Sequence, residues 1–176
     1  MASHIELLNE QIGHEYAAHQ QYVATAVWYD VQALPALASF FYEQALEERN
    51  HAMMIVQYLV DIDAEVAIPG VAAPSVDFDD LVAPVALALE QEKQVSAQFD
   101  RLAEVASQER DHKTLFFVQW FLKEQVEEVA TMSDLLTVVE RGRDQPLLVE
   151  EFLARSPFKR SGTADSFQPD IAGPSA

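Results

Sequence analysis

The segment Asp63–Asp79, DAEVAIPGVAAPSVDFD, decides how the chain is laid out. It carries Pro69, Gly70 and Pro74 and shows no amphipathic period, so it reads as a loop. On both sides of it the apolar residues recur at steps of three and four. Before it run Ile5, Leu8, Ile12, Tyr22, Ala26 and Tyr29, then Leu37, Phe41, Ile55 and Ile62. After it run Leu81, Val85, Ala88, Val95, Phe99 and Leu102, then Phe117, Phe121, Met132, Leu135 and Val139. No period-two run competes, and up to residue 140 the only glycines are Gly13 and Gly70, so an all-α chain is expected. Four helices of about 28 residues would each be about 42 Å long, whereas about 17 extended residues reach about 56 Å. The loop can therefore run the length of a bundle and set the second and third helices parallel. Short connectors elsewhere make antiparallel pairs, which gives a four-helix bundle with one long crossover.

The boundaries follow from local chemistry. Pro35 suits the first turn of the second helix and leaves a short connector after about Val31. Asp79 or Asp80 can cap the third helix, and the polar run Ser107 to Asp111 turns the chain into the fourth. Gly142 can end that helix. Asp144 with Pro146 can start a short fifth from about residue 145, which stops near Ser156 before Pro157. One domain over residues 1–156 is expected, followed by a mobile tail, 157–176, rich in Ser, Gly, Pro and Ala.

Composition narrows the chemistry. The 176 residues include 29 acidic and 11 basic side chains, a formal net charge of -18 and no cysteine. Disulfides, zinc–thiolate sites, iron–sulfur clusters and a catalytic thiol are excluded. An acidic surface repels phosphate backbones, so cations are better expected partners than nucleic acid. The start, MASHIELLNEQ, has neither a basic nor an apolar leader segment, and no apolar run approaches about 18 residues. A cytoplasmic protein without a membrane partner is the expectation.

Most of the acids fit a solvated helix face. Five polar positions do not, because they fall on the inward stripes. Glu15 lies three after Ile12, and Glu48 and His51 lie between Phe41 and Ile55. Glu92 lies four after Ala88, and Glu128 seven after Phe121. Their heights also agree: Glu48 and Glu92 lie about 14 and 12 residues into the parallel pair, a difference of about 3 Å. Glu15 and Glu128 lie at matching distances from their turns. Four carboxylates facing one another in an apolar core repel and are expensively desolvated unless cations sit between them. Glu48 and His51, in EERNH, are one turn apart and can grip one ion together. Carboxylates with one imidazole suit iron, manganese or zinc rather than copper(I).

In combination, EYAAHQQY, EERNHAMM, LEQEKQ and WFLKEQVEE resemble the ferritins, specifically the non-haem bacterial type, over nearly the whole chain. Bacterioferritins and rubrerythrin-like proteins place a second E-x-x-H on the fourth helix, where this sequence has Gln125-Val126-Glu127-Glu128. Arg49 stands where bacterioferritin carries its haem-ligating Met, so no haem is expected. The resemblance implies that Glu15, Glu48 and His51 hold one iron and that Glu48, Glu92 and Glu128 hold a second. Gln125 would lie beside the second iron or hydrogen-bond to the oxygen species. Glu47, Glu124 and Glu127 would form a third iron site, sharing Glu128. Tyr22 resembles the family tyrosine near the centre, an electron donor or hydrogen-bond partner. His19, one turn after Glu15, could approach the first iron or orient a ligand. Trp120 is expected to pack in the core, and His4, His14 and His112 to be solvated.

The resemblance further implies a ferroxidase that oxidises Fe(II) with dioxygen or peroxide and stores a ferric mineral core in a 24-subunit homo-oligomeric cage. A separate, unidentified reductase would release the iron. The fifth helix, with Leu147, Leu148, Phe152 and Leu153, would serve contacts between subunits. Two rival expectations are a di-iron or iron–manganese oxidase acting on an organic substrate and a structural shell subunit with a vestigial site.

Overall fold

The computed structural model describes residues 2–155 and 168–173. Five helices follow one another: α1 His4–Val31, α2 Pro35–Asp61, α3 Ala83–Gln108, α4 His112–Arg141 and α5 Pro146–Arg155. No strand occurs among the described residues. The pairs α1/α2 and α3/α4 make the main packing contacts, α1 also meets α3, and α5 lies against α2 and α4.

Side chains of α1 pin the crossover along its length. Asn9 donates to the Glu65 carbonyl at 2.9 Å and accepts from the Ala67 N–H at 2.6 Å. Gln21 does the same with Ser75 alone, at 2.9 and 2.8 Å. Tyr29 donates to the Leu81 carbonyl at 2.8 Å. Asn9 to Tyr29 spans about 30 Å of helix, so the crossover climbs beside α1 from one end to the other. The third helix therefore starts at the end where α2 starts, and the two run parallel, as the loop length allows.

The helix ends show which local signals operate. Ser3 and Glu6 form a reciprocal capping box on α1. Asp80 Oδ1 accepts from the N–H groups of Val82 and Ala83, both at 2.9 Å, and Asp111 Oδ1 caps α4 through Lys113 and Thr114. Three helices end on left-handed residues that are not glycine: Ala33, Asp63 and Arg110, with φ of 60, 57 and 59°. Each is followed by a bond back across the turn, Leu34 to Tyr29, Ala64 to Leu59 and Asp111 to Ala106, so the last carbonyls are satisfied. Gly142 ends α4 for a different reason. Its φ is -95°, which any residue adopts, but an added Cβ would lie 2.2 Å from Val149 Cγ2 of α5. The glycine is there to let α5 approach.

Leu34 offers α2 no side-chain cap, and α5 supplies one. Glu150 accepts from the N–H groups of Ala36 at 2.7 Å and Leu37 at 3.0 Å, placing a carboxylate at the positive end of the helix dipole. Glu150→Ala should lower the unfolding free energy by about 1–2 kcal/mol, read by urea denaturation, while Glu150→Gln keeps part of the loss back. An unchanged midpoint in the alanine variant would remove this contact from the account of α2.

The core has two parts. One cluster joins Tyr22, Tyr29, Leu37, Phe41, Val85, Met132, Leu135 and Val139 with Val149 and Leu153 of α5. The other joins Leu8, Ile12, Ile55, Leu59, Phe99, Leu102, Val118 and Phe121. Ile171 packs against this second cluster, and the Ala172 N–H donates to the Met53 carbonyl at 3.2 Å. Ile171 and Ala172 of the expected tail thus touch the bundle. The rest of that expectation, at 157–167 and 174–176, falls outside the described residues.

Candidate metal centre

The seam between the two clusters is polar. Glu15 lies between Ile12 and Tyr22, Glu48 and His51 between Ala45 and Ala52, Glu92 between Leu89 and Val95, and Gln125 and Glu128 between Phe121 and Met132. All six are at most 3% exposed. Their placement follows from helical periodicity alone, since each occupies an inward position of a stripe that is otherwise apolar.

His51 Nδ1 lies 3.3 Å from Glu48 Oε2 and 3.8 Å from Glu15 Oε2. Ligand atoms of Glu15, Glu48 and His51 all fall within 4.8 Å of one another, and so do those of His51, Glu124 and Glu128. The imidazole therefore stands between two groups of acids. Trp120 and Phe121 meet its ring edge-on, each with centroids 5.7 Å away, so Trp120 packs as expected. Gln11 donates to Glu15 Oε1 at 2.8 Å, and Tyr22 donates to Glu92 Oε1. Among the described residues, no N–H group reaches the buried Glu15 Oε2 or Glu48 Oε1.

Two acids here would be costly to ionise without a cation. Burial, then the neighbouring charge of Glu48, pushes the Glu15 carboxyl well above its ordinary range. Burial, then Glu92 and Glu128, does the same to Glu48. Burial and the charge of Glu92 likewise hold the Tyr22 hydroxyl protonated. A divalent ion reverses this balance, because opposite charge at close range favours the ionised carboxylate.

The remaining expected residues are placed less uniformly. Glu47 and Glu124 are half-buried, with Glu47 accepting from Gln44 Nε2, whereas Glu127 is exposed. His19 Nδ1 bonds to the Ala45 carbonyl at 2.6 Å, which ties its ring to α2 rather than to Glu15. His14 and His112 are exposed as expected. His4 is not: its ring is held between Glu109 and Asp111, with Nε2 3.0 Å from Asp111 Oδ2. Periodicity alone did not single out Gln11 or Ser96, each one helical turn from an inward glutamate.

A model of the ferritin-like domain matches residues 5–142. The chain belongs to the ferritin family. It is 49% identical over 167 residues to the ferritin BfrB of Mycolicibacterium smegmatis, covering 95% of this chain and 91% of that one. It is 38% identical over 137 residues to the bacterial non-heme ferritin of Staphylococcus aureus, covering 78% and 82%. Among solved structures, an open pore ferritin from Archaeoglobus fulgidus superimposes with a TM-score of 0.83 at 28% identity, over 86% of this chain and 94% of that chain. The crossover bundle with its short fifth helix is thus the ferritin fold, as its loop length led one to expect. No described helix of this ferritin is long and apolar enough to cross a membrane.

Proposed function

We propose that this ferritin is a ferroxidase and iron-storage subunit. The observation that carries the proposal is the buried layer of four glutamates and one histidine between two apolar clusters. Such a layer is unfavourable in itself and becomes favourable when divalent cations enter it. Glu15, Glu48 and His51 hold one Fe(II), and Glu48, Glu92 and Glu128 hold the other, with Glu48 bridging. Two Fe(II) ions give one electron each to dioxygen, which takes up two protons and leaves as hydrogen peroxide. Peroxide can in turn serve as the oxidant for further Fe(II). Carboxylate oxygens favour Fe(III) over Fe(II), which drives the oxidation. Tyr22 is placed against Glu92 to hold that ligand or to supply an electron.

Product then passes to a third site built from Glu47, Glu124, Glu127 and Glu128. The closeness of Glu124 and Glu128 supports this route, and the exposure of Glu127 fits a ligand facing a storage cavity. Self-association is supported by Leu147, Leu148 and Phe152 of α5, which are 76, 55 and 44% exposed in the single subunit. In the proposed 24-subunit cytoplasmic cage these side chains meet other copies. The cage stores ferric mineral, needs no haem, nucleic acid or membrane partner, and depends on a separate reductase for release.

Aerobic addition of Fe(II) in large excess, followed by size-exclusion chromatography with protein and iron read together, tests this. Far more than three irons per chain should co-elute with a shell-sized particle. A small particle holding about two irons per chain would instead overturn storage and favour the di-iron oxidase.

A further inference from the structure

Gln125 of α4 and Ser96 of α3 share one hydrogen bond. Ser96 Oγ lies 2.9 Å from the Glu92 carbonyl one turn back on α3 and 3.0 Å from Gln125 Oε1 on α4. Gln125 is 3% exposed, and its Nε2 has no hydrogen-bond partner among the described residues. A hydroxyl has a single proton and cannot serve both oxygens fully. With the amide in this orientation, a buried amide nitrogen with two protons is left unsatisfied. Exchanging the amide oxygen and nitrogen, which have nearly the same shape, resolves both faults. Ser96 then donates to the Glu92 carbonyl and accepts from Gln125 Nε2. The amide oxygen takes the place of the nitrogen that has no partner inside the bundle.

The geometry points to Ser96 as a positioning residue: it turns the carbonyl oxygen of Gln125 toward the metal centre, making Gln125 an oxygen donor to a cation on the Glu92–Glu128 side. The inference rests on the proposed di-iron centre and decides between the two roles that the resemblance allows for Gln125. An amide that presents its N–H groups there would repel a cation and could only donate to an anion or an oxygen species. An amide held by Ser96 adds a neutral oxygen ligand one turn before Glu128 on the same helix, at a spacing that lets both face one ion. Lys93, Ser96, Leu122, Gln125 and Val126 line the α3–α4 groove beside them.

Anaerobic titration of the metal-free protein with Co²⁺, followed by visible absorption, tests this without any oxidation. The Glu48→Ala/His51→Ala variant is subtracted to remove binding elsewhere. The unaltered protein should take two Co²⁺ per chain at the centre. Ser96→Ala should weaken the second equivalent about tenfold and leave the first unchanged, and the fold is not at risk because alanine is the better helix former. Ser96→Thr, which keeps the hydroxyl, should restore both affinities. In a Gln125→Glu background both side-chain atoms are oxygens, so Ser96→Ala should have no effect. A second equivalent that is unchanged or tighter in Ser96→Ala would overturn the inference while leaving the centre intact. Absence of both Co²⁺ equivalents in the unaltered protein would overturn the centre itself.

Discussion

Replacing Glu48 and His51 together by alanine should slow the rapid oxidation of Fe(II) at least about a hundredfold, since losing even an outer hydrogen-bond partner of a metal ligand costs about 10–100-fold. Glu48 is the bridging carboxylate of the proposal, and His51 stands 3.3 Å from it and 3.8 Å from Glu15. In that proposal their removal takes a ligand from both irons and leaves neither site with its full set. Assembly should survive. The variant opens a cavity, which is destabilising, but it also removes one acid from a group of four that repel one another when ionised. The two effects oppose each other, and the apolar clusters on either side of the seam are untouched. Stopped-flow absorbance after mixing with Fe(II) in air, with size-exclusion chromatography of the same samples, reads both properties. An oxidation rate equal to that of the unaltered protein, in an intact particle, would sink the site assignment.

The parts of this molecule legible in its sequence are those governed by short-range rules. A rise of 1.5 Å per residue converts sequence distance into height, so the common level of Glu15, Glu48, Glu92 and Glu128 follows from their spacing to the turns. The caps at Asp80 and Asp111 are equally local, an acid within three residues of the N–H it accepts. Features that depend on partners far along the chain could not be read this way. Glu150 looks like any surface acid of α5, yet it caps α2 from more than a hundred residues away. Asn9 and Gln21 look like solvated amides, yet they fasten the crossover. Helices that end through left-handed Ala33 or Arg110 give no glycine signal, and bonds from Leu34 to Tyr29 and from Asp111 to Ala106 close these turns. The division of Gln11 and Ser96 from ordinary polar residues likewise needed three dimensions. Each lies one turn from an inward glutamate, but so do several solvated side chains, and only the structure shows which reach inward.

The same buried acids should make the metal-free protein less stable as pH rises, the reverse of ordinary acid denaturation. Glu15 and Glu48 are both held above the ordinary value of 4.5, chiefly by burial. A carboxyl raised in the folded state binds its proton more tightly there than in the unfolded chain. Its contribution is complete below about pH 4.5 and is lost as pH climbs through the folded-state value, at about 1.4 kcal/mol per group per pH unit. Asp80 has the opposite sign. Its carboxylate is held low by the N–H groups of Ala83 and Val82, so its contribution is present above 3.8 and fails only in acid. It therefore adds no slope between pH 5 and 8. Zn²⁺, which is redox-inert, should cancel the loss by holding the carboxylates ionised, and its stabilisation should be larger at pH 8 than at pH 5 because fewer protons compete for the ligands. Scanning calorimetry at fixed protein concentration should show Tm falling from pH 5 to 8 without Zn²⁺ and nearly level with it. In a Glu15→Gln/Glu48→Gln variant both the slope and the Zn²⁺ response should largely disappear. A slope that persists undiminished in that variant would mean that groups other than these two carboxyls carry the pH dependence.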